Sequence, residues 1–248
     1  MYEDILNTTA HRRTSLPRGP WVMSQRWSDM LFLHCPVRAG KVEQYLPPGL
    51  ELDTFDGEAW ITILPFRVTD MHIRSLPSFP YLHKYLELNV RTYVRRGSTP
   101  GIFFFSLDAD KLLNVLGARL ASLPYYYASM RMHKETEAFH CTSRRRRKEA
   151  FYFEGTYRAS SDAYCPLEGT LDHWLLERYY AWSSVKNGLV EIGIHHTPWE
   201  VQDAQADVQT VSLPPLAADE LALSRMKCHF APEKRALFWS GKRILFQR

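Results

Sequence analysis

From Trp21 onward the chain is a succession of short apolar or alternating runs separated by turn residues. "MLFLHCPV" (30–37) is apolar throughout and predicts a buried strand. In "RAGKVEQYLPPGL" (38–50), Val42, Tyr45 and Leu46 fall at helical spacing, and Pro47-Pro48-Gly49 stops the turn. Asp56-Gly57 then sits between two strand-like runs, a hairpin signal. "MHIRSLPSFPYLHKY" (71–85) reads as a long proline-bearing loop.

The next segment, 86–97, alternates. Leu86, Leu88, Val90 and Val94 take one face, and Glu87, Asn89, Arg91 and Tyr93 take the other. After a turn at 98–101, "IFFFSL" (102–107) predicts a second strand, apolar on both faces and hairpinned to the first. Asp108 is placed to cap a helix over about 109–120, which Pro124 ends near Leu123. Three strands are expected over 128–158, a helix over 171–182 capped by Thr170, and a strand over 188–196. The C-terminal segment adds one or two more. There is no alternating βαβα rhythm, so a doubly wound parallel sheet is not expected. The pattern predicts an α+β fold: one domain over 21–248 on a large, mostly antiparallel, barrel-like sheet with a few helices. Residues 1–20, polar and proline-dotted, read as an arm or tail.

Composition narrows the function classes. Of 248 residues, 45% are hydrophobic and 13% aromatic, enough for a substantial core. Net charge is +4, from 31 basic and 27 acidic residues, too small an excess to argue for nucleic acid. The densest basic run, Ser143–Lys148, reads as a solvated strand end, with phosphate or anionic-surface binding as its rival. No apolar run is long enough for a membrane-spanning helix, and the N-terminal residues lack the apolar centre of a signal peptide. The four cysteines form no CxxC pair, so free thiols and a cytoplasmic location are expected.

Glu87, Asn89 and Arg91 are the leading candidates for chemistry. On a one-sided sheet they would simply face water. In a closed barrel they would project side by side into a lumen, Glu87 as acid or base and Arg91 as a two-pronged carboxylate clamp. His195 and His196 are adjacent on a strand and therefore point to opposite faces, a poor arrangement for one metal. His196 shares parity with Ile192 and Ile194 and is read as the inward one, with a structural role as the bland reading. His34 carries the same bland reading, and Cys35 reads as a small buried hydrophobe. No HExxH, calcium loop, GxSxG elbow or glycine-rich nucleotide loop is present, so neither metal nor cofactor is expected.

Six blocks in order, "PWVMSQRWSDMLFLHCPV", "LPPGLELDTFDGEAWITILPFRV", "LELNVRTYV", "GIFFFSLDADKLL", "LDHWLLERY" and "IHHTPWEVQ", resemble the YqjF-like family of uncharacterised bacterial proteins. That family is in turn similar in fold to acetoacetate decarboxylase, whose barrel-like sheet encloses an apolar pocket. In that enzyme a helix leads into Pro-Lys-Lys, and the first lysine forms a Schiff base with a keto acid. "DADKLLNVLGARLASLPYYY" has the same frame, but Tyr125 and Tyr126 stand where the lysine pair would be. A phenol forms no imine. The resemblance therefore implies the pocket and withholds the decarboxylase mechanism. It also places Glu87 at a pocket carboxylate and Arg26 near an arginine before the first strand.

The expectation is a pocket protein that binds a small carbonyl or carboxylate ligand, with its transformation left open and, if it occurs, running by lyase- or isomerase-like acid–base chemistry. Glu87 and Arg91 would be catalytic; Arg26, Trp60, Asn89, Phe104, Tyr126 and His196 would contact the ligand. The alternatives are a non-catalytic sensor or carrier with the same pocket, and an anion-surface binder using Arg144–Arg147. The resemblance leaves an oligomer open.

Overall fold

A computed structural model describes residues 2–77, 83–112, 115, 123–145, 151–213, 215 and 220–246. In chain order the elements are α1 (Tyr2–Asn7), β1 (Met23–Val37), α2 (Ala39–Glu43), β2 (Glu51–Leu52), β3 (Ala59–Ile73), β4 (Tyr85–Arg96) and β5 (Thr99–Ala109). They continue as β6 (Tyr125–Glu135), β7 (Ala138–Arg145), β8 (Tyr152–Ala159), α3 (Leu171–Leu176), β9 (Tyr180–Val185), β10 (Gly188–His195), β11 (Gln202–Ser212), β12 (Lys227–Phe238) and β13 (Lys242–Leu245).

Two strands fork, and the forks make the architecture. β5 pairs along its length with β4, through Ile102 and Phe103 with β9, and through Leu107–Ala109 with β6. β12 pairs with β1, through Phe230 and His229 with β11, and through Leu237 and Phe238 with β10. Two closed rings result. The larger is a nine-strand mixed barrel, β5-β6-β7-β8-β11-β12-β1-β3-β4. The smaller runs β4-β3-β1-β12-β10-β9-β5. The rings share the wall β12-β1-β3-β4-β5, which is therefore covered on both faces.

A wall buried on both faces explains the all-apolar run at 30–37. Leu31 and Leu33 join Ile61, Ile63, Leu88 and Val90 in the larger ring, against Met130, Phe139, Phe153 and Tyr157. Met30 and Phe32 turn the other way, to join Leu64, Phe66, Ile194 and Trp199 in the smaller ring. β5 carries a bulge: Arg91 faces Phe104 and Val90 faces Ser106, leaving Phe105 as the extra residue. The bulge flips the parity of β5, which is how Phe104 and Leu107 come to look into the same space.

The Asp56-Gly57 hairpin forms as expected, with positive φ at both residues (50° and 80°) and Phe55 paired to Glu58. Thr170 caps α3, accepting from the His173 N–H. Several boundaries move. Asp108 caps no helix: it lies inside β5, hydrogen-bonded by Arg145. Most of the helix predicted over 109–120 falls outside the described residues, although Leu112 and Val115 are helical. The 171–182 helix stops at Leu176, because Tyr180–Val185 is recruited as β9 between β5 and β10. β6 begins at Tyr125 rather than 128, so the tyrosines alternate across a strand. The 71–85 loop is shortened from both sides by β3 and β4, and 78–82 lies outside the described residues.

The N-terminal arm is docked on the barrel. Ile5 and Arg12 are buried. His195 donates from Nε2 to the Ile5 carbonyl (2.7 Å), and Arg12 bonds the Ile194 carbonyl (2.8 Å). No helix among the described residues is long and apolar enough to cross a membrane.

Candidate functional site

The smaller ring is not filled. A cavity of about 410 Å³ lies inside it, within the usual range for small-ligand sites. Period-2 geometry on β4 sends Leu86, Leu88 and Val90 into the packed larger ring and Glu87, Asn89 and Arg91 to the cavity. Around the ring from β4, the far wall is Val190, Ile192 and Ile194 of β10 and Phe238 of β12. The polar groups of β4 thus form a strip flanked by Leu64 and Phe66 of β3 and by Phe104 and Leu107 of β5, and they face an apolar far wall.

Glu87 and Asn89 are buried. Desolvation pushes the Glu87 carboxyl up to about 7; Asp108 adds to the rise, and hydrogen bonds from Tyr125 and Asn89 oppose it. Glu87 thus sits where it can hold or release a proton near neutral pH. It ends a hydrogen-bonded series. Trp27 Nε1 donates to Gln25 Oε1 (2.8 Å), and Gln25 Nε2 donates to the Tyr85 hydroxyl (3.1 Å). Tyr85 and Tyr125 share a hydrogen bond, and Tyr125 donates to Glu87 Oε2 (2.8 Å). Burial raises both tyrosine hydroxyls well above their ordinary value, so they keep their protons and remain donors.

Arg91 supplies the opposite charge. Its guanidinium lies 5.6 Å from the Phe32 ring, and its Nε is buried without a hydrogen-bond partner. Burial lowers its pKa, and Arg178 adds repulsion, while the Tyr93 hydroxyl supports the charge. No carboxylate among the described residues pairs with it. The residue as a whole is partly buried, and a desolvated cation without a counter-ion is costly.

Of the other predicted contacts, Phe104 and Asn89 line the cavity. Trp60 and His196 stand one layer back. Trp60 packs within the same core cluster. His196 lies against Trp199 (4.8 Å between ring centroids) and Tyr179 (4.9 Å), and donates to the Thr197 carbonyl. Two residues are on the wrong face. Arg26 points away from the cavity toward Glu233 (3.8 Å), and its neighbours Gln25 and Trp27 take the inward positions. Tyr126 lies over the Arg145 guanidinium (3.9 Å), and Tyr125 takes the inward position. Sequence reasoning missed Gln25, Trp27, Tyr85, Tyr125 and Trp199. Tyr85 carried a signal, being in phase with Glu87 on the same strand.

No lysine lines the cavity among the described residues. Lys234 pairs with Trp27, a lining residue, across β1 and β12. It lies behind the Trp199 ring (5.4 Å) and donates to the Pro198 carbonyl (2.7 Å). His34 is buried with Thr62 on its Nδ1 (2.8 Å), and burial raises the Cys35 thiol to about 12, so both match their structural readings. Among the described residues no three His, Cys, Asp or Glu side chains are grouped to hold a metal ion. Arg145 of the basic run is buried rather than solvated; Arg144 is exposed, and Arg146–Lys148 lie outside the described residues.

The model of the DUF2071 family, an uncharacterized conserved protein, matches residues 24–235. The chain belongs to this family. The uncharacterized protein YqjF of Bacillus subtilis is 40% identical over 229 residues, covering 92% of this chain and 95% of its own. Among solved structures, acetoacetate decarboxylase from Legionella pneumophila superposes with a TM-score of 0.66 at 14% identity, covering 98% of this chain and 94% of that one. The enduracididine biosynthesis enzyme MppR, complexed with pyruvate, gives 0.62 at 9% identity with 93% of each chain covered. At such identities the likeness is one of fold. This DUF2071 member therefore has an acetoacetate decarboxylase-like fold, with Pro124 followed by tyrosines.

Proposed function

We propose that the cavity binds a small organic acid carrying a carbonyl or carboxylate group, and that Glu87 performs acid–base chemistry on it without an imine. One observation carries this reading: Arg91 is a desolvated guanidinium that faces an apolar cavity and lacks a carboxylate partner among the described residues. A ligand carboxylate would complete the pair in a two-pronged contact. Glu87, on the same face of β4 and about 13 Å along the strand, would exchange a proton with the ligand carbon or carbonyl. That MppR has been captured with pyruvate supports a small oxo acid as the class to test.

The test is thermal melting of the full chain with keto acids from pyruvate to phenylpyruvate. Wild type should be stabilised, and Arg91→Met should lose the ligand-dependent shift while remaining folded. Equal shifts in both proteins would remove Arg91 from the site. Solvent deuterium exchange at the carbon next to the keto group separates enzyme from carrier. Exchange in wild type that disappears in Glu87→Gln supports acid–base catalysis. Binding without exchange supports the carrier, which the absence of a lysine after Pro124 favours.

A further inference from the structure

With a ligand carboxylate on Arg91, the reading on which this inference rests, the remaining cavity wall constrains the ligand beyond its charge. β4 presents three different groups in line, with neighbours about 7 Å apart along the strand. Arg91 offers N–H donors and a positive charge. Glu87 offers a carboxyl. Asn89, between them, is 3% exposed, and its amide hydrogen-bonds the Glu87 carboxyl. Its Oδ1 is buried with no partner. A bare buried acceptor is costly, and without a ligand only water can satisfy it. A ligand that displaces such a water without supplying a donor loses affinity.

The opposite side asks for apolar bulk. Val190, Ile192, Ile194 and Phe238 carry no polar side-chain group, and Trp199 beside them adds its ring and one buried Nε1–H without a partner, a single donor in an otherwise apolar surface. An acid as small as lactate would leave most of that surface uncovered.

We infer that the ligand is a hydroxyl-bearing acid with a bulky apolar substituent: its carboxylate meets Arg91, its hydroxyl or enol donates to Asn89 Oδ1, and its aryl or alkyl body covers the β10–β12 wall. The hydroxyl must lie close to the carboxylate, because Asn89 and Arg91 are successive inward residues on one strand.

Calorimetry on the full chain with three probes tests each part. 3-Phenyllactate has all three features, 3-phenylpropionate lacks the hydroxyl, and lactate lacks the ring. 3-Phenyllactate should bind about tenfold tighter than 3-phenylpropionate, the worth of one buried acceptor satisfied. It should bind about 100-fold tighter than lactate, from burial of the ring. Asn89→Leu should bind 3-phenyllactate and 3-phenylpropionate alike. Equal binding of those two acids by wild type overturns the hydroxyl assignment, and a preference that survives Asn89→Leu removes Asn89 from it. Equal binding of lactate and 3-phenyllactate overturns the apolar assignment. If all three acids bind Arg91→Met as well as they bind wild type, the underlying pocket reading fails instead, and this inference with it.

Discussion

Two carboxylates are buried in the wall shared by the rings, one on each face. Asp108, 1% exposed, points into the packed larger ring; Glu87, 4% exposed, borders the cavity. On the packed side Arg145 Nε donates to Asp108 Oδ1 (2.7 Å), and Ser143 adds a second hydrogen bond. The Arg145 guanidinium is itself sandwiched by Tyr126 (3.9 Å) and Phe151 (4.6 Å). On the cavity side the carboxyl and the guanidinium of Glu87 and Arg91 are held apart on one strand, with Asn89 between them. The same residue types are therefore used in two ways. Paired, they tie β5 to β7. Separated, they leave an acid and a cation available to a third party. Burying a charge alone is expensive, and that cost is why the proposal above seats a ligand on the cavity side rather than on the paired side.

Breaking the paired side should have the largest effect. Arg145→Ala removes the cation and leaves Asp108 buried, and should cost about 3–5 kcal/mol of unfolding free energy in urea titration. Replacing both partners, Asp108→Asn with Arg145→Leu, should recover part of that loss, since no orphaned charge remains. A small loss in the single variant would mean that the pair is not what holds this face together, and the contrast with Glu87 would weaken.

On the cavity side the corresponding change should work in the opposite direction. The Glu87 pKa rises on folding from 4.5 to about 7, so the native state holds its proton where the unfolded chain has released it. The contribution to stability is complete below about 4.5 and is lost as pH rises to about 7. Glu87→Gln removes that dependence. At pH 8 the variant should be more stable than wild type by up to about 3 kcal/mol, with the gap closing toward pH 5. Melting curves across this range decide it. A variant less stable than wild type at pH 8 would show that Glu87 is held by interactions that a neutral amide cannot replace.

Much of the cavity side was legible because alternation is a strong signal. Glu87, Asn89 and Arg91 could be put on one face from spacing alone, and Phe104, expected at the pocket from an apolar strand, does line the cavity. Alternation could not say whether that face met water or a lumen. The answer depended on the forks of β5 and β12, which are long-range pairings with no local trace. Asp108 shows the opposite limit. An acidic residue before an apolar periodic run satisfies the rule for a helix cap, yet the strand runs on to Ala109 because Arg145, 37 residues later, supplies a better partner. Arg26 and Tyr126 fail for one reason. Each lies next to the correct position, and on a strand a one-residue error is a change of face.

The tyrosines after Pro124 turn that last point into the finest test of the contrast, since adjacent phenols serve the two faces. Tyr125→Phe removes the hydroxyl that donates to Glu87 Oε2, a hydrogen bond that opposes the rise in the Glu87 pKa. The loss should cost about 1–2 kcal/mol at pH 8 and move the pH-dependent fall in stability above 7. Tyr126→Phe keeps the ring that lies over Arg145, on the other side of the sheet. It should cost under about 1 kcal/mol and leave the pH at which stability falls where it is in wild type. An equal displacement of that pH in both variants would mean that the wall does not insulate its faces. A displacement confined to Tyr125→Phe would show that a single residue step after Pro124 separates the group that tunes the cavity acid from one that packs against the ion pair behind it.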